Sequence, residues 1–362
     1  MFRYLYCGTS AHIALIIQSF AEEITVVSTN TPRVSIGLAV YNGENYIRDA
    51  IDSILAQTFQ DFELIISDNA STDKTQEICQ SYAAQDQRIR YYRNPYNLGG
   101  QVNQNCTMEL AQGEYFKLAA HDDLIAPRFL EKCVEILDDH PEVVLCYPKT
   151  QLIDQDGKEF EAWDGDPDPG FSDLFKSDIQ VRTDSSKPQE RLAELFRYRH
   201  YWYPIFGVIR MSTLRKTPLF STYAGADGVL LGRLLLLGTF YEVPETLFFL
   251  RRHSGQSLNI GAISPQLYSI WFSTANKGKL TLPFWSSFFE FGAAVRTTPL
   301  SWQERIACYA QILQATRRAW KALLKELLIS AVLLSDWSYR KVTRIEIQDD
   351  DSLLFGRYPR LN

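Results

Sequence analysis

The run VSIGLAVY, from Val34 to Tyr41, is apolar and rich in β-branched residues. It gives way at once to Tyr46, Ile47, Ala50, Ile51, Ile54 and Leu55 at helical spacing. An unbroken apolar strand has no polar face to offer water, so it needs cover on both sides, and the helix that follows supplies part of that cover. The same alternation recurs downstream. Strands are expected over Phe62–Ser67, Ile89–Arg93 and Tyr115–Ala120, with a helix from Asp73 to about Ala84 and another running from a glycine-containing turn at Asn97–Gly100 to Ala111. This pattern predicts a mostly parallel sheet sandwiched by helices.

Pro127 sits well in the first turn of a further helix, where its missing N–H costs nothing, and Phe129, Leu130, Cys133, Val134 and Leu137 give that helix an apolar stripe. A strand over Val143–Tyr147 leads to a DQDG turn at Asp154–Gly157. Residues Glu161 to Lys187 have no clear period and read as a long loop. Pattern returns with a helix over Pro188–Arg199, a strand over Pro204–Arg210, a helix over Gly228–Leu237 and a strand over Thr246–Leu250.

With 362 residues, 46% hydrophobic and 22% charged, the chain has material for one large core, or for a domain and an appendage. Its net charge of -6 argues against nucleic acid as a partner, since such binding needs a basic surface to displace counterions from phosphates. Six cysteines without CxxC spacing read as reduced, mostly buried thiols, as in a cytoplasmic protein. The apolar stretch Ile13 to Ile17 is too short to span a bilayer. Beyond Asn259 the chain turns aromatic and then helical, with Arg305, Arg317, Arg318, Lys321 and Lys325 among Leu and Ile. Two readings stay open there: a packed helical tail, or an amphipathic helix lying on the cytoplasmic membrane face.

Acidic residues mark three places where a strand ends or a helix begins, which is the ligand edge of an open α/β sheet. Asp68 ends the second strand and can accept hydrogen bonds from a base or a ribose, whereas Asp73 reads as a helix cap. Asp122 and Asp123 follow an apolar run as paired hard oxygen ligands suited to Mg²⁺ or Mn²⁺, or else as a solvated helix start. Asp227 precedes a hydrophobic helix and is either a general base or a cap. Arg251, Arg252 and His253 cluster after the last strand, offering phosphate contacts and a metal ligand.

In this order, from Arg33 to Asn259, these segments resemble the family 2 glycosyltransferases. The resemblance implies an α/β GT-A nucleotide-diphospho-sugar transferase fold with a mostly parallel central sheet flanked by helices. Residues 33–259 would form the catalytic domain, between an N-terminal extension (1–32) and a helical C-terminal extension (260–362). It implies that Ala39, Tyr41, Glu44 and Asp68 line the nucleotide pocket, and that Asn97, Gly99 and Asn105 occupy recurrent positions of the donor site. His121 stands at the first position of the family's Asp-x-Asp motif, so Asp123 inherits the metal role and Asp122 a ribose or metal-shell role. Ala226 replaces the glutamate of the usual acidic pair, which leaves Asp227 as the base. His253 would add a metal contact, and Arg251 or Arg252 would stabilise a departing diphosphate. The implied activity is metal-dependent, single-step inverting transfer from a nucleoside diphosphate-sugar to a glycan, lipid-linked or other hydroxyl acceptor, in cell-surface polysaccharide or glycoconjugate synthesis. A catalytically inactive nucleotide-sugar-binding scaffold of the same fold is the alternative. YNGENYIRD lacks the basic, Gly-rich loop of a nucleotide-sugar pyrophosphorylase, and no QxxRW-type signature of a processive synthase is present.

Overall fold

The structure, a computed structural model, describes residues 31–160, 183–197, 203–256 and 265–343. The stretch Ile13–Ile17, Cys7, most of the loop read over Glu161–Lys187 and the boundary at Asn259 lie outside the described residues. The strands are β1 (Val34–Val40), β2 (Phe62–Asp68), β3 (Ile89–Arg93), β4 (Tyr115–Ala119), β5 (Leu124–Ile125), β6 (Val143–Ile153), β7 (Val208–Arg210) and β8 (Thr239–Arg251). They form one sheet in the order β3-β2-β1-β4-β7-β6-β8-β5. The pairs β1–β2, β1–β4, β2–β3 and β6–β8 are parallel, while β7 runs antiparallel to both β4 and β6, and β5 antiparallel to β8.

Helices α1 (Ile47–Leu55), α2 (Thr75–Ala83) and α4 (Phe129–Asp139) pack into the apolar cluster on one side of the sheet. Helices α3 (Gly100–Leu110), α5 (Pro188–Arg197), the short α6 (Met211–Leu214) and α7 (Ala226–Leu237) contribute to the second cluster. The sequence ADGVLLGRLLLL is apolar nearly all round, which is why α7 is buried. Leu230, Leu231, Leu234 and Leu235 are each at most 1% exposed, and each contributes on the order of 2 kcal/mol. Farther along are α8 (Pro265–Phe272), α9 (Pro283–Thr297), α10 (Trp302–Arg318) and α11 (Trp320–Thr343). Ala294 and Val295 of α9 and Cys308 and Ile312 of α10 join the second cluster, so these helices share the core of the sheet. The described cysteines are all buried thiols.

The strands differ from the sequence expectations in several places. In place of a strand over Pro204–Arg210 there is a 3₁₀ turn at Tyr203–Phe206, and only Val208–Arg210 pairs. Pro204 has no N–H for a ladder, and its carbonyl instead accepts the Gly207 N–H at 2.9 Å. The last strand is far longer than Thr246–Leu250: it begins at Thr239 and carries Pro244 past a register shift opposite Pro148 and Lys149. A proline at a bulge is compatible with a strand, although in sequence it reads as a break. The two-residue β5 has no periodicity to read and exists only by pairing with Phe248 and Phe249.

Candidate active site

Strand directions decide which residues meet. With β7 antiparallel to β4 and to β6, and β8 parallel to β6, strands β1, β2, β4 and β8 all point the same way. Their carboxyl ends therefore bring Ala39–Tyr41, Asp68, His121–Asp123 and Arg251–His253 to one edge. Helix α7 leads directly into the start of β8 at the opposite edge, so its first turn, with Asp227, returns to the carboxyl edge.

At the β1 end of that edge, two loops are stitched together. Asn42 N–H donates to Ser71 Oγ (2.9 Å), Gly43 N–H to Thr75 Oγ1 (2.8 Å) and Glu44 N–H to Asp73 Oδ2 (3.1 Å). In return, Thr72 N–H donates to Asn42 Oδ1 (2.8 Å) and Lys74 N–H to Glu44 Oε2 (3.1 Å). Asn42 and Ala70 hold positive φ of 52° and 61° in these loops, strained conformations for residues with a Cβ, and such strain collects at ligand sites. Glu44 thus braces the loop, while Ala39 and Tyr41 are half-buried beside it. Asp73 accepts the Thr75 N–H (3.0 Å), one residue ahead of the assigned cap, Lys74. Asp68 is fully buried and accepts from Ser71 N–H (2.8 Å), Tyr91 Oη (2.7 Å) and Arg93 Nη1 (2.6 Å). That uses three of the roughly four acceptor directions of a carboxylate.

A row of amides organises the next turn. Asn69 Nδ2 donates to Asn97 Oδ1 (2.9 Å), Asn97 Oδ1 also accepts Gly99 N–H (2.8 Å), and Asn94 Nδ2 donates to Asn103 Oδ1 (2.8 Å). Gly99 has φ 94°, and a Cβ there would lie 2.5 Å from the backbone of Ser273, so the residues after α8 seat directly on this turn. Asn105 departs from its expected role. Its Nδ2 donates to Phe220 O (2.8 Å) and its Oδ1 accepts Phe220 N–H (3.0 Å), pinning a loop in which Leu219 has φ 62°. The amide is buried and committed to backbone rather than turned toward a donor. Asn105→Ala is expected to cost about 2 kcal/mol, because two buried backbone groups lose their partner. Urea unfolding would measure that loss, and donor affinity of the folded fraction should stay unchanged.

The acidic pair lies at the centre of the edge. A Cβ on Gly43 would come within 2.7 Å of the His121 ring, so that ring packs on the β1–α1 loop. Asp122 Oδ2 lies 2.9 Å from His253 Nε2, and the His253 ring packs on Tyr46 at 4.7 Å. Asp123 Oδ1 accepts the Arg251 N–H at 2.9 Å. Burial and the charge of Asp122 push the Asp123 carboxyl well above the usual carboxylate range. Burial works in the same direction on Asp122, but His121 and His253 outweigh it and hold that carboxyl low. One carboxylate is therefore kept ionised beside one that resists ionising, a crowding that added positive charge would relieve.

Arg251 is not placed to clamp a phosphate. It is 2% exposed, its Nε donates to Asp122 O (2.8 Å) and one Nη to Gln155 O (3.1 Å), and its guanidinium lies 4.8 Å over the Tyr46 ring. It braces the acidic turn against β8. Arg252 and His253 are half-buried at the same edge. Behind Asp123, Lys117 is 1% exposed, with its Nζ 4.8 Å from the Phe129 ring centre and donating to Leu118 O (3.0 Å). Burial brings its pKa down to about 8 against the pull of Asp123. The sequence reading passed over this lysine, although a charge inside the apolar strand YFKLA was a signal. It also passed over Tyr46, Tyr91 and Arg93, which gain their roles only through tertiary contact.

Asp227 occupies the first turn of α7, behind Gly225, whose φ is 88°. It is half-buried, and desolvation raises its pKa against the backbone N–H groups of Gly228 and its own residue. Tyr268 of α8 stands close enough that Asp227, after burial, helps to raise its phenol pKa. Helix α8 is held over this corner by Asn276, whose Nδ2 donates to Thr222 O (2.8 Å) and Ser269 O (2.9 Å).

For a divalent cation, the residues at Asp122, Asp123 and His253 are hard oxygen and imidazole donors. Among the described residues no group of three or more His, Cys, Asp or Glu is arranged to hold a metal ion. An ion that keeps waters and completes its shell with substrate phosphates needs only one or two protein carboxylates, so the donor set fits such a cation.

The chain is similar to known proteins over part of its length. The profile of Glycosyl transferase family 2 matches residues 35–189. An uncharacterized glycosyltransferase of Rickettsia typhi is 38% identical over 147 residues, 40% of this chain and 44% of that protein. One of Methanocaldococcus jannaschii is 34% identical over 135 residues, 36% of this chain and 47% of that protein. The matched region thus spans less than half of each of these relatives. In fold, the chain is similar to residues 1–349 of TarS from S. aureus, solved with UDP-GlcNAc. The TM-score is 0.56 at 16% identity, over 78% of this chain and 72% of that one. Residues 35–189 are thus similar to glycosyl transferase family 2, on a fold of GT-A type.

Proposed function

We propose that this protein is an inverting glycosyltransferase that moves a sugar from a nucleoside diphosphate carrier to a hydroxyl of a glycan or lipid-linked acceptor. Cell-surface polysaccharide or glycoconjugate synthesis is the setting in which such an acceptor arises. The observation that carries the reading is the gathering, at the carboxyl edge of one sheet, of a strained nucleotide-side loop pair, the Asp122–Asp123–His253 centre and Asp227.

The donor nucleoside lies along the β1 and β2 ends, where Ala39, Tyr41 and Asp68 form its wall and Glu44 holds the wall in place. Asn97 and Gly99 shape the turn on its far side. Asp123, with His253 and with Asp122 in support, would hold Mn²⁺ or Mg²⁺, which supplies neutralisation of the charge that develops on the departing diphosphate. Arg252 lies at the same edge for a phosphate contact, and Arg251 keeps Asp122 and Asp123 in register. Asp227 accepts the acceptor hydroxyl proton as that oxygen forms its bond to the anomeric carbon and the bond to the diphosphate oxygen breaks. A single displacement of this kind inverts the anomeric centre. Asp227 alone serves as base in this reading, and no second, covalently attacking carboxylate is needed.

The test is nucleoside diphosphate release from a panel of UDP-, GDP- and TDP-sugars, with Mn²⁺, with Mg²⁺ and with chelator. One donor is expected to turn over, and chelation is expected to abolish turnover. If no sugar nucleotide binds by calorimetry, the transferase reading fails. If one binds tightly and never turns over with any acceptor extract, the protein is a nucleotide-sugar-binding scaffold.

A further inference from the structure

Among the described residues, large apolar side chains that stand exposed are concentrated at one end of the chain. Apart from Tyr96 and Tyr241, all of them lie between Leu280 and Val332. In α10 they fall on one face: Trp302 (69% exposed), Ile306 and Leu313 recur at i, i+4 and i+11, with Arg317 continuing the stripe at i+15. Cys308 and Ile312, on the other side of that helix, are the residues buried in the core. Helix α11 repeats the arrangement. Trp320, Leu324, Leu327, Leu328 (60% exposed) and Val332 stand out, flanked by exposed Lys321 and Lys325, while Leu323 and Ser330 are buried.

The orientation of α11 is fixed. Glu326 accepts the N–H groups of Phe284 and Trp285, each at 3.1 Å, and so satisfies the first turn of α9. Trp285 Nε1 donates to Leu323 O at 3.3 Å. The leucine stripe therefore cannot rotate inward without breaking that clamp, and Phe284 and Phe289 on α9 remain exposed alongside it.

Charge decides what covers this surface. The chain as a whole carries -6, yet between Trp302 and Val332 there are five basic residues (Arg305, Arg317, Arg318, Lys321, Lys325) against two acids. Both acids are committed within the protein: Glu304 caps α10 through Ser301, and Glu326 caps α9. A two-fold pairing of two copies through these stripes would bring two sets of the same basic residues, Arg317, Lys321 and Lys325, into one interface. An anionic lipid surface offers the complementary sign to the arginines and lysines and an apolar layer to the tryptophans and leucines. No described helix is long and apolar enough to cross a membrane, so the fit is to lying on the surface.

We infer that α10 and α11, with the start of α9, form a docking face for an anionic bilayer, and that the start of α9, whose Ser287 Oγ would lie 3.9 Å from a Cβ on Gly225, sets the Asp227 corner beside that face for a membrane-borne acceptor. Only the second half of that statement rests on the transferase reading, and the test reads docking without turnover.

The full chain is to be floated with vesicles of phosphatidylcholine alone and of phosphatidylcholine mixed with phosphatidylglycerol, at low and high salt. Binding is expected only with the anionic vesicles and should weaken with salt. Leu324→Glu with Leu328→Glu changes only exposed positions and should lower the bound fraction roughly tenfold or more. Lys321→Glu with Lys325→Glu should remove the salt-sensitive part. Failure of the wild type to bind either vesicle overturns the inference. So does binding that survives the leucine substitutions, and so does a dimer in sedimentation velocity that those substitutions dissolve, which would make this face a contact between copies.

Discussion

Asp123→Asn should reduce transfer by about three orders of magnitude or more, equivalent to roughly 4 kcal/mol of transition-state stabilisation, while leaving the melting temperature of the metal-free chain unchanged or higher. The two halves of that result have separate causes. The amide oxygen can still accept the Arg251 N–H that Asp123 Oδ1 now accepts at 2.9 Å, so the brace between the acidic turn and β8 survives. The amide also places N–H donors where a second carboxylate was crowding Asp122, in a position that is only 7% exposed. A carboxyl whose ionisation is costly in this buried position is thereby removed, and with it the oxygen charge that would hold the cation. Turnover with Mn²⁺, calorimetric metal binding and thermal melting of both proteins check this together. A large fall in melting temperature would mean that Asp123 is chiefly a structural residue, and retained turnover would place the metal elsewhere.

The architecture was legible where a local period carries it. VSIGLAVY and the Ile47–Ile54 spacing became β1 and α1 because each pattern matches one set of neighbours, a sheet covered on both faces and a helix with one buried stripe. Where tertiary contact overrides local chemistry, the sequence misleads. Arg251 at a strand end looks like a phosphate contact, and nothing local says that Asp122, Gln155 and Tyr46 close over it. Asn105 looks like a donor-site amide, yet its partner Phe220 is far along the chain. Asp68 sits at the expected edge, but its engagement by Tyr91 and Arg93 depends on the β2–β3 pairing. Acidic positions at strand ends were readable because topology alone brings them to one edge. Which distant groups steady Asp122 and Asp123 was not, since Arg251 and His253 come from the end of β8 and just beyond it, well over a hundred residues away.

Asp227→Asn should lower kcat by a factor of roughly 10² to 10⁴ with little change in donor affinity, because the substitution removes a proton acceptor and leaves the nucleotide side untouched. The amide is nearly isosteric and the side chain lies at a helix start, so α7 should still form and the melting temperature should barely move. The pH profile separates this from a merely structural effect. Burial raises the Asp227 pKa above its ordinary value, and a base works only when ionised. Wild-type kcat should therefore fall as pH drops through that raised value, with the midpoint of the acid limb above that of an ordinary aspartate. The residual activity of Asp227→Asn should lack that limb. Tyr268→Phe provides the internal control. The phenol, its pKa raised by burial and by Asp227, stays neutral through the acid limb and contributes no base, so its loss should preserve both the midpoint and most of the rate. If Tyr268→Phe reproduces the loss seen with Asp227→Asn, the proton leaves the acceptor by way of the phenol, and α8 belongs to the catalytic machinery rather than to its support.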